Sequence, residues 1–411
     1  MATPIRNPRS MCARGFGKNH MAGRTENQRI DLKARLQRRS PRKLLAIDGG
    51  GIRGVLALKV LEEIEALLIR ESGRKDYRLA DYFDYVAGTS TGGIIAVGVA
   101  LGMSVREILK FYRDSGPAMF DRASIIRRFR YEYSQEPLAL MLKDVFGAET
   151  TLGAPELETL LLLVMRNATT DSPWPLSNNP YAKYNDEKHD SCNLRFPLWQ
   201  LVRASTAAPT YFPPEVIYCS DKPFIFVDSG ITPYNNPAFQ MFLMATVDRY
   251  WVNAPPDMPR WQTGVDNMLV VSVGTGANAD ENYNLQPGGM NLIFNAITVP
   301  SALMYAALNE QDFLCRVFGD CVAGPPLDRE VGMMIGSRGP LEKENKLFRY
   351  VRYNAELTAE GLKALGCGDI DPSKVRKIDA VDAMSDLQRI GQAVAKHQIK
   401  ADHFKFEVFK P

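Results

Sequence analysis

The 411-residue sequence predicts an α/β fold with parallel strands, and three observations carry the prediction. Two short apolar runs, Leu44 to Ile47 and Tyr82 to Ala87, each end in a glycine-bearing turn. Each turn is followed by apolar residues at helical spacing, the alternation from which such sheets are built. A hydrophobic fraction of 45% supplies a core for one large domain with extensions, and no internal repeat suggests another architecture.

Residues 1 to 43 hold twelve Lys or Arg against two acids, so in a chain of net charge +3 the remainder is net acidic. Residues 1 to 42 are expected to be a basic, disordered arm, suited to anionic lipid or nucleic acid if it binds anything. Met11 and Met21 offer alternative starts.

Leu44 to Ile47 reads as a buried strand and runs into Asp48-Gly49-Gly50-Gly51-Ile52-Arg53-Gly54. Val55, Leu58, Leu61, Ile64 and Leu68 then mark a helix. Amides opening a helix lack partners and sit at the positive end of its dipole, so the turn is a candidate anion site. Gly49-x-Gly51-x-x-Gly54 fits a dinucleotide fingerprint, which needs an acid at the end of the next strand to hold a ribose. Glu62, Glu63 and Glu65 fall inside the helix instead. The other anion that fits is the oxyanion that develops during acyl transfer.

The second strand ends in Gly88-Thr89-Ser90-Thr91-Gly92, a G-x-S-x-G elbow that lifts a serine hydroxyl above a sheet. A phosphate-binding P-loop would need Lys and Ser or Thr where Gly93 and Ile94 stand. A tight turn with an incidental serine is the plain alternative. If the first two strands are parallel neighbours, both turns leave one sheet edge and the amides of Gly49, Gly50 and Gly51 face Ser90. One donor aimed at an oxyanion contributes about 3 kcal/mol. Arg53 beside the turn either forks onto a lipid phosphate or pins the turn through a carbonyl or carboxylate, and the second role is expected.

A serine nucleophile needs a base. Of four histidines, His20 and His189 lie in polar segments, while His397 and His403 come late enough for the Ser, Asp, His order of a conventional triad. The other candidate is Asp228, after the apolar run Phe224 to Val227 and ahead of Ser229-Gly230. A carboxylate titrates near about 3.9, and burial without a cation raises that value towards a usable base. An Asx turn closing a strand is the competing role.

Further along, Ser104 with Glu107 fits a capping box for a third helix. Ser124 to Arg130 mixes apolar and cationic side chains and is expected either to touch a membrane surface or to form a helix with a solvated face. Residues 167 to 192 read as a long polar loop that covers the acyl site. The apolar stretch from Leu292 to Met304 reads as buried helix or lipid-access wall. Phe348 to Tyr353 reads as a late edge strand, and residues 357 to 398 as helical.

Asp48 to Gly54, Gly88 to Gly92 and Asp228-Ser229-Gly230, in this order, resemble the motifs of the patatin-like phospholipases. Arg203 to Phe212 and Val271 to Gly276 are similar to further segments of that family, and the likeness covers roughly residues 43 to 320. The resemblance implies a three-layer α/β/α fold with a mainly parallel central sheet and a helical C-terminal extension. It implies a catalytic domain over 43 to 320, with 321 to 411 a C-terminal strand and helices packing on it. It also implies a Ser-Asp dyad of Ser90 as nucleophile and Asp228 as base, with Gly49, Gly50 and Gly51 as the oxyanion hole. Gly88, Gly92 and Arg53 support the site, and neither metal nor cofactor takes part. Ser229 departs from the family's usual glycine.

The activity so implied is hydrolysis of phospholipid or lysophospholipid carboxylic esters, with a neutral-lipid esterase as the nearer rival. A nucleotide-binding regulatory module is the rival of a different class. Some bacterial members are antiphage effectors switched on by cyclic oligonucleotides, so a nucleotide activator stays open, as does a homo-oligomer; no nucleic acid is required. Six scattered cysteines without metal spacing suit a reducing compartment. No apolar run reaches the roughly 20 residues that span a bilayer. A cytoplasmic protein peripheral to the membrane is therefore expected.

Overall fold

Side chains alternate across a strand. In this protein the alternation sends Leu45, Ile47, Val86, Leu161 and Val271 to one buried cluster and Leu44, Ala46, Tyr85, Leu160 and Val270 to another. Helices close both clusters, which gives three layers. The computed structural model describes residues 29–39, 41–120, 137–208, 212–277 and 292–404.

The elements run α1 (Leu32–Gln37), β1 (Arg42–Ile47), α2 (Gly54–Ser72), α3 (Leu79–Tyr82), β2 (Tyr85–Thr89), α4 (Thr91–Ala100), α5 (Val105–Phe120) and α6 (Pro137–Phe146). Then come β3 (Leu160–Asn167), β4 (Ser172–Ser177), α7 (Leu198–Ser205), β5 (Glu215–Cys219), β6 (Lys222–Val227), α8 (Ala238–Thr246) and β7 (Met268–Val273). The chain finishes with α9 (Leu292–Phe318), β8 (Asp320–Ala323), β9 (Arg349–Tyr353), α10 (Ala359–Ala364), α11 (Pro372–Val375) and α12 (Met384–Gln398).

The nine-stranded sheet has the order β5-β6-β3-β2-β1-β7-β9-β8, with β4 also pairing β3. β1 lies between β2 and β7 and is parallel to both, with Leu44 opposite Tyr85. The expected parallel neighbourhood of the first two strands is therefore present. Residues of α2, α4 and α12 fill one apolar cluster; residues of α1, α8 and α9 fill the other. All of α4 is buried, consistent with its lack of any charged side chain. The capping box ahead of α5 forms: Ser104 N–H donates to Glu107 Oε2 at 2.8 Å and Glu107 N–H to Ser104 Oγ at 3.3 Å.

Several expectations change. Phe348 to Tyr353 is not an edge: β9 lies between β7 and β8 and is parallel to both. Arg352 within that run is fully buried, its charge neutralised by Asp48 inside the protein. Within the expected polar loop, β4 pairs antiparallel with β3, and Asn179 and Asn185 are buried because their amides bond backbone carbonyls. β6 is antiparallel to its neighbours, and Ile225 is exposed while Phe226 is buried. Tyr82 belongs to α3, not to the strand. The 357 to 398 region is three separate helices.

The basic arm is ordered near its end, where α1 packs through Leu36 and buried Arg35 donates to Ala80 O at 2.6 Å. Leu303 on α9 is exposed, so that part of the helix is not buried. Ser124 to Arg130 lies outside the described residues. Among the described residues no helix is long and apolar enough to cross a membrane.

Candidate active site

β1 and β2 end side by side, Ile47 opposite Gly88, so the turns that follow them meet at one sheet edge. The Ser90 backbone takes φ 54° and ψ −126°, a sparsely populated region for a residue with a side chain. Gly88 and Gly92 permit the bend: a β-carbon on Gly92 would stand 2.7 Å from Asp48 O, and one on Gly88 2.6 Å from Gly93 N. Ser90 N–H donates to Ser205 Oγ at 2.8 Å, and that hydroxyl donates to Val164 O at 2.6 Å.

Ser90 Oγ donates to Asp228 Oδ2 at 2.6 Å. The second oxygen, Asp228 Oδ1, accepts Gly230 N–H at 2.7 Å, and Asp228 N–H donates to Ala207 O at 2.9 Å. Ser229 donates its hydroxyl to Val164 O at 2.8 Å, which gives the departure from glycine a structural use. Burial pushes the Asp228 carboxyl up to about 6, while the bonds from Ser90 and Gly230 act in the opposite sense. The Asx turn and the contact with Ser90 are thus made by different oxygens of one carboxylate.

The glycine turn is anchored from several sides. Asp48 forms a fully buried forked pair with Arg352 at 2.9 and 2.6 Å, and Arg352 also donates to Ser272 Oγ at 2.7 Å. Gly49 N–H donates to Asn235 O at 3.1 Å, and Gly50 N–H to Thr91 Oγ1 at 3.2 Å. Thr275 donates its hydroxyl to Gly49 O at 2.7 Å. Gly51 adopts φ 60°, where a side chain would be strained.

Arg53 donates to Gly50 O at 3.3 Å and Gly276 O at 3.5 Å, so its guanidinium pins the turn through carbonyls. Burial lowers its pKa to about 10, with the Asp48 charge opposing.

Among the described residues the histidines lie elsewhere. His403 is buried against the Tyr353 hydroxyl at 2.7 Å and burial lowers its pKa; His189 and His397 are exposed, and His20 lies outside the described residues. Ser90 has a carboxylate partner, so the conventional triad is not assembled here. No group of three or more His, Cys, Asp or Glu among the described residues is placed to hold a metal.

Sequence reasoning missed Arg352, Asn235 and the individual role of Ser205. Ser205 sat within a recognised segment, and the Asn235-Asn236 doublet was a signal available after Asp228. Nothing near Arg352 in the chain points to Asp48.

The family model for patatin-like phospholipases matches residues 45–242, which enclose both turns and Asp228. A cGAMP-activated phospholipase of Vibrio cholerae is 30% identical over 259 residues, 60% of this chain and 67% of that protein. A cGAMP-activated phospholipase of Escherichia coli is 33% identical over 252 residues, covering 60% and 64%. Patatin-15 of Solanum tuberosum is 29% identical over 257 residues, covering 59% and 63%. The matched region thus spans about two thirds of the length of each relative. With its motifs folded onto one sheet edge and this extent of shared sequence, the chain belongs to the patatin-like phospholipase family.

Proposed function

We propose that this protein is a lipid acyl hydrolase of the phospholipase A or lysophospholipase type, working through a Ser90–Asp228 dyad. The observation that carries the reading is the 2.6 Å hydrogen bond from Ser90 Oγ to a buried carboxylate oxygen. A carboxyl group titrating at about 6 is half ionised near that pH and accepts a proton more readily than an ordinary aspartate. Ser90 Oγ attacks the ester carbonyl, its proton passes to Asp228, and the departing alcohol takes that proton as the carbonyl–oxygen bond breaks. The acyl-serine left behind is released by water.

Oxyanion stabilisation falls to Gly50 and Gly51 in this reading. Gly49 N–H is engaged by the Asn235 carbonyl and serves to hold the turn, whereas Gly50 N–H donates to the Thr91 side-chain oxygen, an acceptor that a change of χ1 moves away from the amide. Arg53 keeps the turn in shape.

The substrate class, a carboxylic ester of a membrane phospholipid or lysophospholipid, is supported by family membership and makes this a peripheral, cytoplasmic-side enzyme. Two relatives named as cGAMP-activated support a cyclic-dinucleotide activator here. The test is a fluorophosphonate reaction on intact protein, with and without cGAMP, read by mass spectrometry, alongside fatty-acid release from phosphatidylglycerol vesicles. A tag on Ser90 with fatty-acid release is expected. A tag elsewhere, or none in either condition, overturns the reading. Esterase activity on a neutral glyceride with none on vesicles moves the assignment to the neutral-lipid rival.

A further inference from the structure

One polar group beside the dyad has no role in the chemistry above. Asn235 is 4% exposed, and among the described residues its Oδ1 has no hydrogen-bond donor. Its main chain is fixed, because the Asn235 carbonyl accepts Gly49 N–H. The neighbouring Asn236 is anchored too, its Oδ1 accepting from Ser272 Oγ at 3.2 Å and Ala238 N–H at 3.1 Å.

The position of the orphaned oxygen follows from two glycines. A β-carbon on Gly230 would stand 3.2 Å from Asp228 Oδ1 and 3.7 Å from Asn235 Oδ1. One on Gly49 would stand 3.2 Å from Ser90 Cβ and collide with Asn235 Oδ1. Asn235 Oδ1 therefore lies close to Ser90, Gly49, Gly230 and Asp228, with Met304 Cε 3.1 Å from the same point at Gly230, so only a group as small as water fits among them.

A buried acceptor without a donor is costly, so it is normally met by some group. An ester linkage brings no donor to it. Once the alcohol has left the acyl-enzyme, the donor that enters is water, which satisfies two acceptors at once.

We propose that Asn235 Oδ1 and Asp228 together hold the water that hydrolyses acyl-Ser90. The idea rests on the dyad reading. The water donates one O–H to Asn235 and the other to the Asp228 carboxylate. Its oxygen attacks the acyl carbonyl carbon as the second proton moves to Asp228. The tetrahedral oxyanion collapses, the bond from that carbon to Ser90 Oγ breaks, and Ser90 Oγ recovers the proton from Asp228. A free carboxylic acid leaves. Asn235 is thus a catalytic residue for deacylation only.

The test compares wild type, Asn235→Ala and Asn235→Asp on p-nitrophenyl butyrate, in stopped-flow and steady state. For an acyl-enzyme pathway kcat/KM reports acylation and kcat reports the slower of the two steps. Asn235→Ala is expected to lower kcat about tenfold while kcat/KM stays within about twofold, with a burst of one p-nitrophenol per Ser90. Asn235→Asp, which keeps an oxygen acceptor in place, is expected to recover part of kcat. If kcat and kcat/KM fall together in Asn235→Ala, Asn235 merely holds the Gly49 turn and the proposal is overturned. If wild type shows neither a burst nor a fluorophosphonate tag on Ser90, the dyad itself fails. Should Asn235→Ala melt far below wild type, Asn235→Leu, of similar volume and without an acceptor, gives the same comparison.

Discussion

Ser90 Oγ lies 2.6 Å from Asp228 Oδ2 across 138 residues of sequence, and both side chains are more than nine-tenths buried. Among the described residues no second side chain donates to Asp228, and Ser90 Oγ and the Gly230 amide are what hold its charge.

Removing either partner should end turnover. Ser90→Ala and Asp228→Ala are each expected to lower ester hydrolysis by at least about 10³-fold, with circular dichroism unchanged. Residual activity near wild type in Asp228→Ala would transfer the base role to another group.

The acid limb of activity should report the buried carboxylate. Protonated Asp228 cannot take the Ser90 proton, so kcat/KM on a soluble ester is expected to fall below an apparent pKa of about 6. A profile flat from about pH 5 to 8 would exclude Asp228 as the base.

The same carboxylate should weaken the fold. Its folded value of about 6 lies above an unfolded one near 3.9, so between them the folded state binds more protons. Stability therefore falls as pH rises through that window, and the deficit, on the order of 2–3 kcal/mol, persists above it. Asp228→Asn is expected to melt higher than wild type at pH 8 and to lose that advantage near pH 4. Differential scanning calorimetry at both pH values measures this.

Arg53 bonds two carbonyls of the glycine turn and its neighbour. Lysine cannot reproduce the fork, so Arg53→Lys should lower phospholipid and neutral-ester turnover by the same factor. A loss confined to phospholipid would assign Arg53 to the headgroup instead.

Asp48 and Arg352 are both fully buried, and truncating Arg352 strands the Asp48 charge, whereas Arg352 also has Asp312 at 3.7 Å. Arg352→Met is expected to cost about 3–5 kcal/mol in urea unfolding, and pairing it with Asp48→Asn should restore part of that loss. Equal stability of the single and double variants would show that the pair is not what holds the turn.

The strand, turn and helix units around Gly49 to Gly54 and Gly88 to Gly92 were legible because each signal is contiguous: an apolar run, small residues at the bend, then helical periodicity. The parallel pairing of β1 with β2 followed, since a right-handed crossover leaves few alternatives. Motif resemblance singled out Asp228, which residue chemistry by itself left open between base and Asx turn. In the structure one oxygen of its carboxylate accepts from Ser90 Oγ and the other from Gly230 N–H.

The sequence by itself determined where the chain bends sharply and which small residues permit it, because those constraints act between near neighbours. Only the tertiary structure decided that Arg352 meets Asp48, that β9 lies inside the sheet, and that Asn235 Oδ1 is buried beside Gly49 without a donor among the described residues. Each of these depends on which strands pair and in what register. A buried charge or amide takes its chemical meaning from the partner that distant segments bring to it, and that partner has no local signature.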